Sequence, residues 1–109
     1  MRDYGKVAPT FWTGDTGRQL RKLGRDAQLT ALFLITGPNA NMIGLYHLPL
    51  AMASLYLGYP DQEGALKALQ RASEGGFCYY DEAAEEVWVP EMAAHQLGEP
   101  LNRTDKRVA

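Results

Sequence analysis

The sequence predicts a mainly α domain with a small β-wing, and three observations predict it. Two apolar helical stretches, 49–57 and 61–74, are separated by the turn residues Gly58-Tyr59-Pro60. A strand-like apolar and aromatic run, 42–48, precedes them. After a Gly75-Gly76 stop come two more strand-like runs, 77–80 and 87–90, joined by an acidic turn at 81–86. Strand, helix, three-residue turn, helix and hairpin, in that order, outline a winged helix-turn-helix, whose second helix is the recognition helix.

With 109 residues the chain holds one domain with a modest core. We divide it into an N-terminal arm (1–14), the winged helix-turn-helix domain (15–97) and a basic tail or linker (98–109), whose polar ending hints at a domain cut from a longer protein. Apolar and charged fractions of 46% and 22% are those of a globular protein. The longest apolar run, 31–35, is far too short to span a bilayer, and the opening MRDYGKV has no signal-peptide core. A single cysteine, Cys78, forms no internal disulfide and builds no cysteine zinc site. A cytoplasmic location without membrane association is the expectation.

The net charge of −2 is unevenly placed. Residues 1–25 carry six basic and two acidic side chains, whereas 61–99 hold only Lys67 and Arg71 against nine acids. The tail returns to basic with Arg103, Lys106 and Arg107 against Asp105. Such a division fits a protein with two kinds of partner or plain solvated surface.

Within the arm, Phe11 and Trp12 are expected to dock on the domain. A short helix follows over 15–23, capped by Asp15 or Thr16 and stopped at Gly24. Arg18, Arg21 and Lys22 fall on one outer face of it, a solvated surface or a phosphate-contacting stripe. The helix 26–36, with Asp26 as its cap, is apolar over most of its surface and so belongs at the centre. Gly37-Pro38-Asn39-Ala40-Asn41 ends it.

Pro49 is expected in a first helical turn, where its missing N–H costs nothing. In the helix it opens, Leu50 and Leu57 lie away from the face built by Met52, Leu55 and Tyr56. A helix apolar on two sides is buried against a partner or subunit, or covered by the arm, and Leu50 and Leu57 are the interaction candidates. On the helix capped by Asp61, Ala65, Leu66, Leu69, Ala72 and Ser73 point inward. Lys67, Gln70 and Arg71 point out as donors for bases or phosphates, with Glu63 four residues before Lys67. Gly64 is expected to admit a close backbone or phosphate. Phe77 and Trp88 are read as core. The wing tip, bearing Asp81, Glu82, Glu85 and Glu86, is repulsive toward phosphate, so this wing does not grip DNA in the usual way.

No catalytic constellation emerges, and an enzyme is not expected. His47 and His95 are far apart, Ser54 and Ser73 lack a nucleophile setting, and Gly14-Asp15-Thr16-Gly17 has neither a KH context nor a following Lys-Ser/Thr. No cofactor or metal is called for.

The segments RDYGKVAPTFWTG, GRDAQLTALFLITGPNANMIGLYHLP, EGALKALQRASEGGFCYYDEAAEEVWVPEMA and DKRV resemble the N-terminal region of phage-type replication initiation proteins, found in phages and prophage-bearing bacteria. That region is similar to the N-terminal domain of DnaD-like primosomal proteins. The resemblance implies a winged-helix domain used at a replication origin. It would act through binding of double-stranded DNA, through self-association as a homodimer, or through contact with a helicase-loading or other replication protein. The DNA-binding candidates are Lys67, Gln70 and Arg71, helped by Arg18, Arg21, Lys22 and the tail residues Arg103, Lys106 and Arg107. The alternative is a protein-interaction or dimerisation domain of a replication or transcription-regulatory complex, without tight direct DNA binding.

Overall fold

The computed structural model describes residues 5–93. Helices α1 (Thr10–Thr13), α2 (Asp15–Leu23) and α3 (Arg25–Thr36) lead into strand β1 (Leu45–His47), and helices α4 (Leu50–Leu57) and α5 (Gln62–Glu74) precede strands β2 (Tyr79–Asp81) and β3 (Glu86–Trp88). Five helices and one antiparallel sheet, ordered β1-β3-β2, therefore make up the described residues. None of these helices is long and apolar enough to cross a membrane.

The core gathers the inward face of every element. Leu20 from α2, Leu34 and Ile35 from α3, Leu69 from α5, and Leu48, Val87, Val89 and Met92 around the sheet are almost completely buried. The arm is not irregular throughout, as its lack of period suggested, because residues 10–13 form α1. Phe11 alone of its aromatic pair docks, edge-on to Phe77 at 6.4 Å, while Trp12 stays exposed. α1 can lie against α2 because Gly17 has no Cβ: one would stand 2.3 Å from the Trp12 carbonyl oxygen, a backbone atom that has nowhere to go.

Helix ends divide into those the sequence announces and those it does not. Asp61 accepts the Gly64 N–H at 2.9 Å, the expected cap of α5. Gly58 adopts the left-handed conformation (φ 81°), letting its own N–H and that of Tyr59 satisfy the Ser54 carbonyl at the end of α4. The caps read at Asp15, Thr16 and Asp26 are not made. The N-cap positions are Gly14 and Gly24, neither with a side-chain hydrogen bond, and Asp15 pairs with Arg18 instead. Pro49 stands one residue outside α4, in extended backbone, rather than in its first turn.

The sheet is registered by residue pairs that run straight across it: Leu45–Trp88–Tyr79, Tyr46–Val87–Tyr80 and His47–Glu86–Asp81. The middle row faces the core, with Val87 fully buried. Tyr46 donates to the Leu34 carbonyl at 2.7 Å and Tyr80 to that of Leu48 at 2.7 Å, tying the sheet to α3 and to the start of α4. On the open edge of β1, the amides of Asn41 and Asn39 donate to the Leu45 and His47 carbonyls at 3.1 and 3.0 Å. These contacts explain why the turn carries two asparagines: they cover carbonyls that another strand could otherwise pair with.

Candidate nucleic-acid interface

Two faces of the molecule matter for the sequence-predicted residues: the outer side of α5 with α2, and the exposed side of α4. On α5, Lys67, Gln70 and Arg71 are exposed, as the helical period requires, while Ala65, Ala68, Leu69 and Ala72 are buried. Leu66 and Ser73, expected inside, are half-buried, and Ala68 takes the inner place instead.

Lys67 and Arg71 border an open groove of about 330 Å³ that also includes Arg25, Asp26, Tyr59 and Gly64. Arg25 brings a third cation that the period of α5 could not reveal, because it comes from the α2–α3 junction. Its position directly after Gly24 was the available signal. Gln70 lies outside this groove, in a second one of about 280 Å³ against Tyr79, Tyr80 and Glu82. The three predicted α5 donors are therefore divided between two sides of the helix.

Lys67, Arg71, Arg18 and Arg21 have local partners. Lys67 Nζ lies 3.3 Å from Glu63, and Arg71 Nη1 lies 2.9 Å from Glu74. Arg71 Nε–H also donates to the Leu23 carbonyl at 2.9 Å, joining α5 to the end of α2. Arg18 pairs with Asp15 and donates to the Thr13 carbonyl, and Arg21 donates to the Trp12 carbonyl at 2.7 Å. Lys22 is exposed on the same helix. Arg18, Arg21 and Arg71 thus serve the α1–α2–α5 packing as well as presenting positive charge. Within the groove the Tyr59 phenol is held above its ordinary range, chiefly by burial and then by the hydrogen bond and charge of Asp26. What Gly64 admits at close range is the Tyr59 side chain: a Cβ there would stand 2.9 Å from the ring.

The acidic tip is not wholly a solvent feature. Asp81, Glu82 and Glu86 are exposed, but Glu85 turns in and its carboxylate accepts the Leu50 N–H at 2.7 Å. Trp88, read as core, is exposed because it lies on the outer row of the sheet.

The interaction candidates on α4 are corrected as well. Leu50 and Leu57, 8% and 9% exposed, belong to the core that α4 shares with α5 and α3. The open side carries Leu55 and Tyr56 at 73% and 58%, and the Tyr56 ring stacks on Phe33 of α3 at 6.1 Å. The helix has no polar face to mark its outside, so the wheel assigned the two sides the wrong way round. Residues 27–60 contain no Asp, Glu, Lys or Arg, so the α3–α4 surface beyond Arg25 and Asp26 at the start of α3 is uncharged.

His47 is exposed, and His95, Arg103, Lys106 and Arg107 lie outside the described residues. Among the described residues, no three His, Cys, Asp or Glu side chains gather to hold a metal ion. Comparison of the chain with family models, curated proteins and solved structures gave no match.

Proposed function

We propose that this chain is a winged helix-turn-helix domain that binds double-stranded DNA at the origin for a phage or prophage replication initiation protein. α4, the turn at 58–61 and α5 supply the helix-turn-helix, and β2 with β3 supply the wing. The sheet order β1-β3-β2, with the strand before the helix pair joining the hairpin, supports that reading of the fold. The sequence segments resembling replication initiation proteins support the biological setting.

The observation that carries DNA binding is the gathering of Arg25, Lys67 and Arg71 around one groove on the outer side of α5. The carboxylate partners of Lys67 and Arg71, Glu63 and Glu74, are exposed and close in sequence, pairs worth about 0.3–0.5 kcal/mol each. Exchange of such a partner for a phosphate costs little, and each phosphate neutralised releases counterions. The exposed carboxylates of the wing keep it out of a groove, so binding rests on α5 and α2 and is weak for a winged helix. A gel shift with origin-region duplex tests this: Lys67→Ala with Arg71→Ala abolishes the shifted species. An unchanged shift in the double variant rejects the assignment.

A second reading, self-association, rests on the uncharged face of Phe33, Leu55 and Tyr56. It predicts a dimer in sedimentation that Leu55→Asp disperses while the fold survives. A strict monomer for the unaltered chain would dismiss it.

A further inference from the structure

The outer face of the sheet is a grid of two rows that the core leaves exposed. Leu45, Trp88 and Tyr79 form one row, at 52%, 48% and 52% exposure, with the Trp88 and Tyr79 rings 5.6 Å apart. His47, Glu86 and Asp81 form the next. Alternation along each strand puts all six side chains on the same side, with the rows roughly 6–7 Å apart.

Two features of this grid call for a cation. Glu86 and Asp81 are direct cross-strand partners, and like charges in that relation destabilise a strand pair. Beside them, the two rings offer π-faces to a positive group. The adjoining chain offers no cation to neutralise the carboxylates: residues 72–93 contain six acidic side chains and no Lys or Arg. The same charge excludes nucleic acid from this face.

We propose that the outer face of the sheet docks a basic segment of a partner protein, with an arginine placed between the carboxylates and the aromatic pair. Arginine suits the place better than lysine, because its planar group stacks on a ring and forks to carboxylates at once. Leu45 supplies an apolar seat for a neighbouring aliphatic side chain of the same segment. The surface is separate from the Arg25–Lys67–Arg71 groove and stands whether or not that groove binds DNA.

The probe is a capped peptide alternating arginine with leucine, followed through Trp88 emission in the full chain carrying Trp12→Phe. The peptide shifts the emission saturably, and its glutamate-for-arginine counterpart does not. Asp81→Asn with Glu86→Gln weakens binding at least about tenfold, whereas the charge-matched Glu63→Gln with Glu74→Gln changes it by less than about twofold. Because the first pair of substitutions removes a repulsion, it also raises the melting midpoint of the free chain, which separates lost binding from lost folding. Equal weakening by both pairs reduces the effect to general charge and overturns the proposal, as does the absence of saturation. A dimer that Trp88→Ala disperses would assign the face to a second copy. Tighter peptide binding after reversing Arg103, Lys106 and Arg107 to glutamate would assign it to the chain's own basic segment. Either result displaces the partner proposed here.

Discussion

Glu85, in the turn between β2 and β3, accepts the Leu50 N–H at 2.7 Å and so performs for α4 the capping that Pro49 has no side-chain group to perform. The same residue takes the Leu48 N–H on its backbone carbonyl at 2.7 Å. It does so at φ 53°, the one positive φ outside glycine among the described residues. The β2–β3 hairpin and the helix pair α4–α5 are locked through this residue. Glu85→Ala should cost about 1–2 kcal/mol in urea unfolding, from the lost charged cap. Glu85→Gly should cost less than Glu85→Ala, since glycine recovers about 1 kcal/mol of left-handed strain. Equal losses would mean that the backbone geometry carries no strain.

The two sides of α4 should separate cleanly. Leu50→Asp or Leu57→Asp places an unpaired charge in the core and should abolish cooperative unfolding at room temperature, by several kcal/mol. Leu55→Asp, on the open side, should change stability by less than about 0.5 kcal/mol. Circular dichroism melts of the three variants check this, and similar melts for all three would contradict the burial described above.

Thr30 is fully buried, and its Oγ1 is the one buried side-chain polar atom among the described residues without a hydrogen-bond partner. An unmet hydroxyl in an apolar site costs about 1–3 kcal/mol. Thr30→Val keeps the shape and removes that cost, so it should raise the unfolding free energy by about 1 kcal/mol. A loss on substitution would point to a partner for the hydroxyl.

Cys78 gives a pH dependence with a definite sign. Burial pushes its thiol up from an ordinary 9.0 to about 11, against a smaller opposite effect of the Ser73 hydroxyl. The unfolded chain therefore loses this proton before the folded one does. The stabilisation is complete below pH 9 and falls as pH rises toward 11, with a slope of at most about 1.4 kcal/mol per unit. The Tyr80 phenol, raised to about 12 by burial and then by the charges of Glu85, Glu82 and Asp81, adds its own loss between pH 10 and 12. Cys78→Ala should flatten the pH 9–10 part of the curve; an unchanged slope would place the titration elsewhere.

Much of this architecture is legible in particular residues. Asp61, Gly58 and the Gly75-Gly76 pair mark the ends of α4 and α5, because each answers a local need of the backbone that a sequence displays. The end of α2 is equally plain from Gly24, whereas at its start Gly14 takes the cap position that the sequence assigns to Asp15 or Thr16. What escapes is set at long range. Trp88 looks like core by its apolar bulk, yet register with Leu45 and Tyr79 turns it outward. Leu50 and Leu57 are chosen for the inside by α5, which their own helix, apolar all round, does not reveal. Glu85 caps a helix 35 residues earlier in the chain, a partner no local pattern could supply. The candidate site is legible to the same degree: Lys67 and Arg71 come from the period of α5, and Arg25 joins them only in three dimensions.

The central claim is that Arg25, Lys67 and Arg71 form a phosphate-contacting surface, and fluorescence anisotropy of labelled origin-region duplex at two salt concentrations tests it most directly. The account predicts binding that weakens steeply with salt, and a salt slope about two to three units shallower when all three residues are replaced by alanine. A slope identical in the triple variant, or no binding at low salt by the full chain, would contradict it.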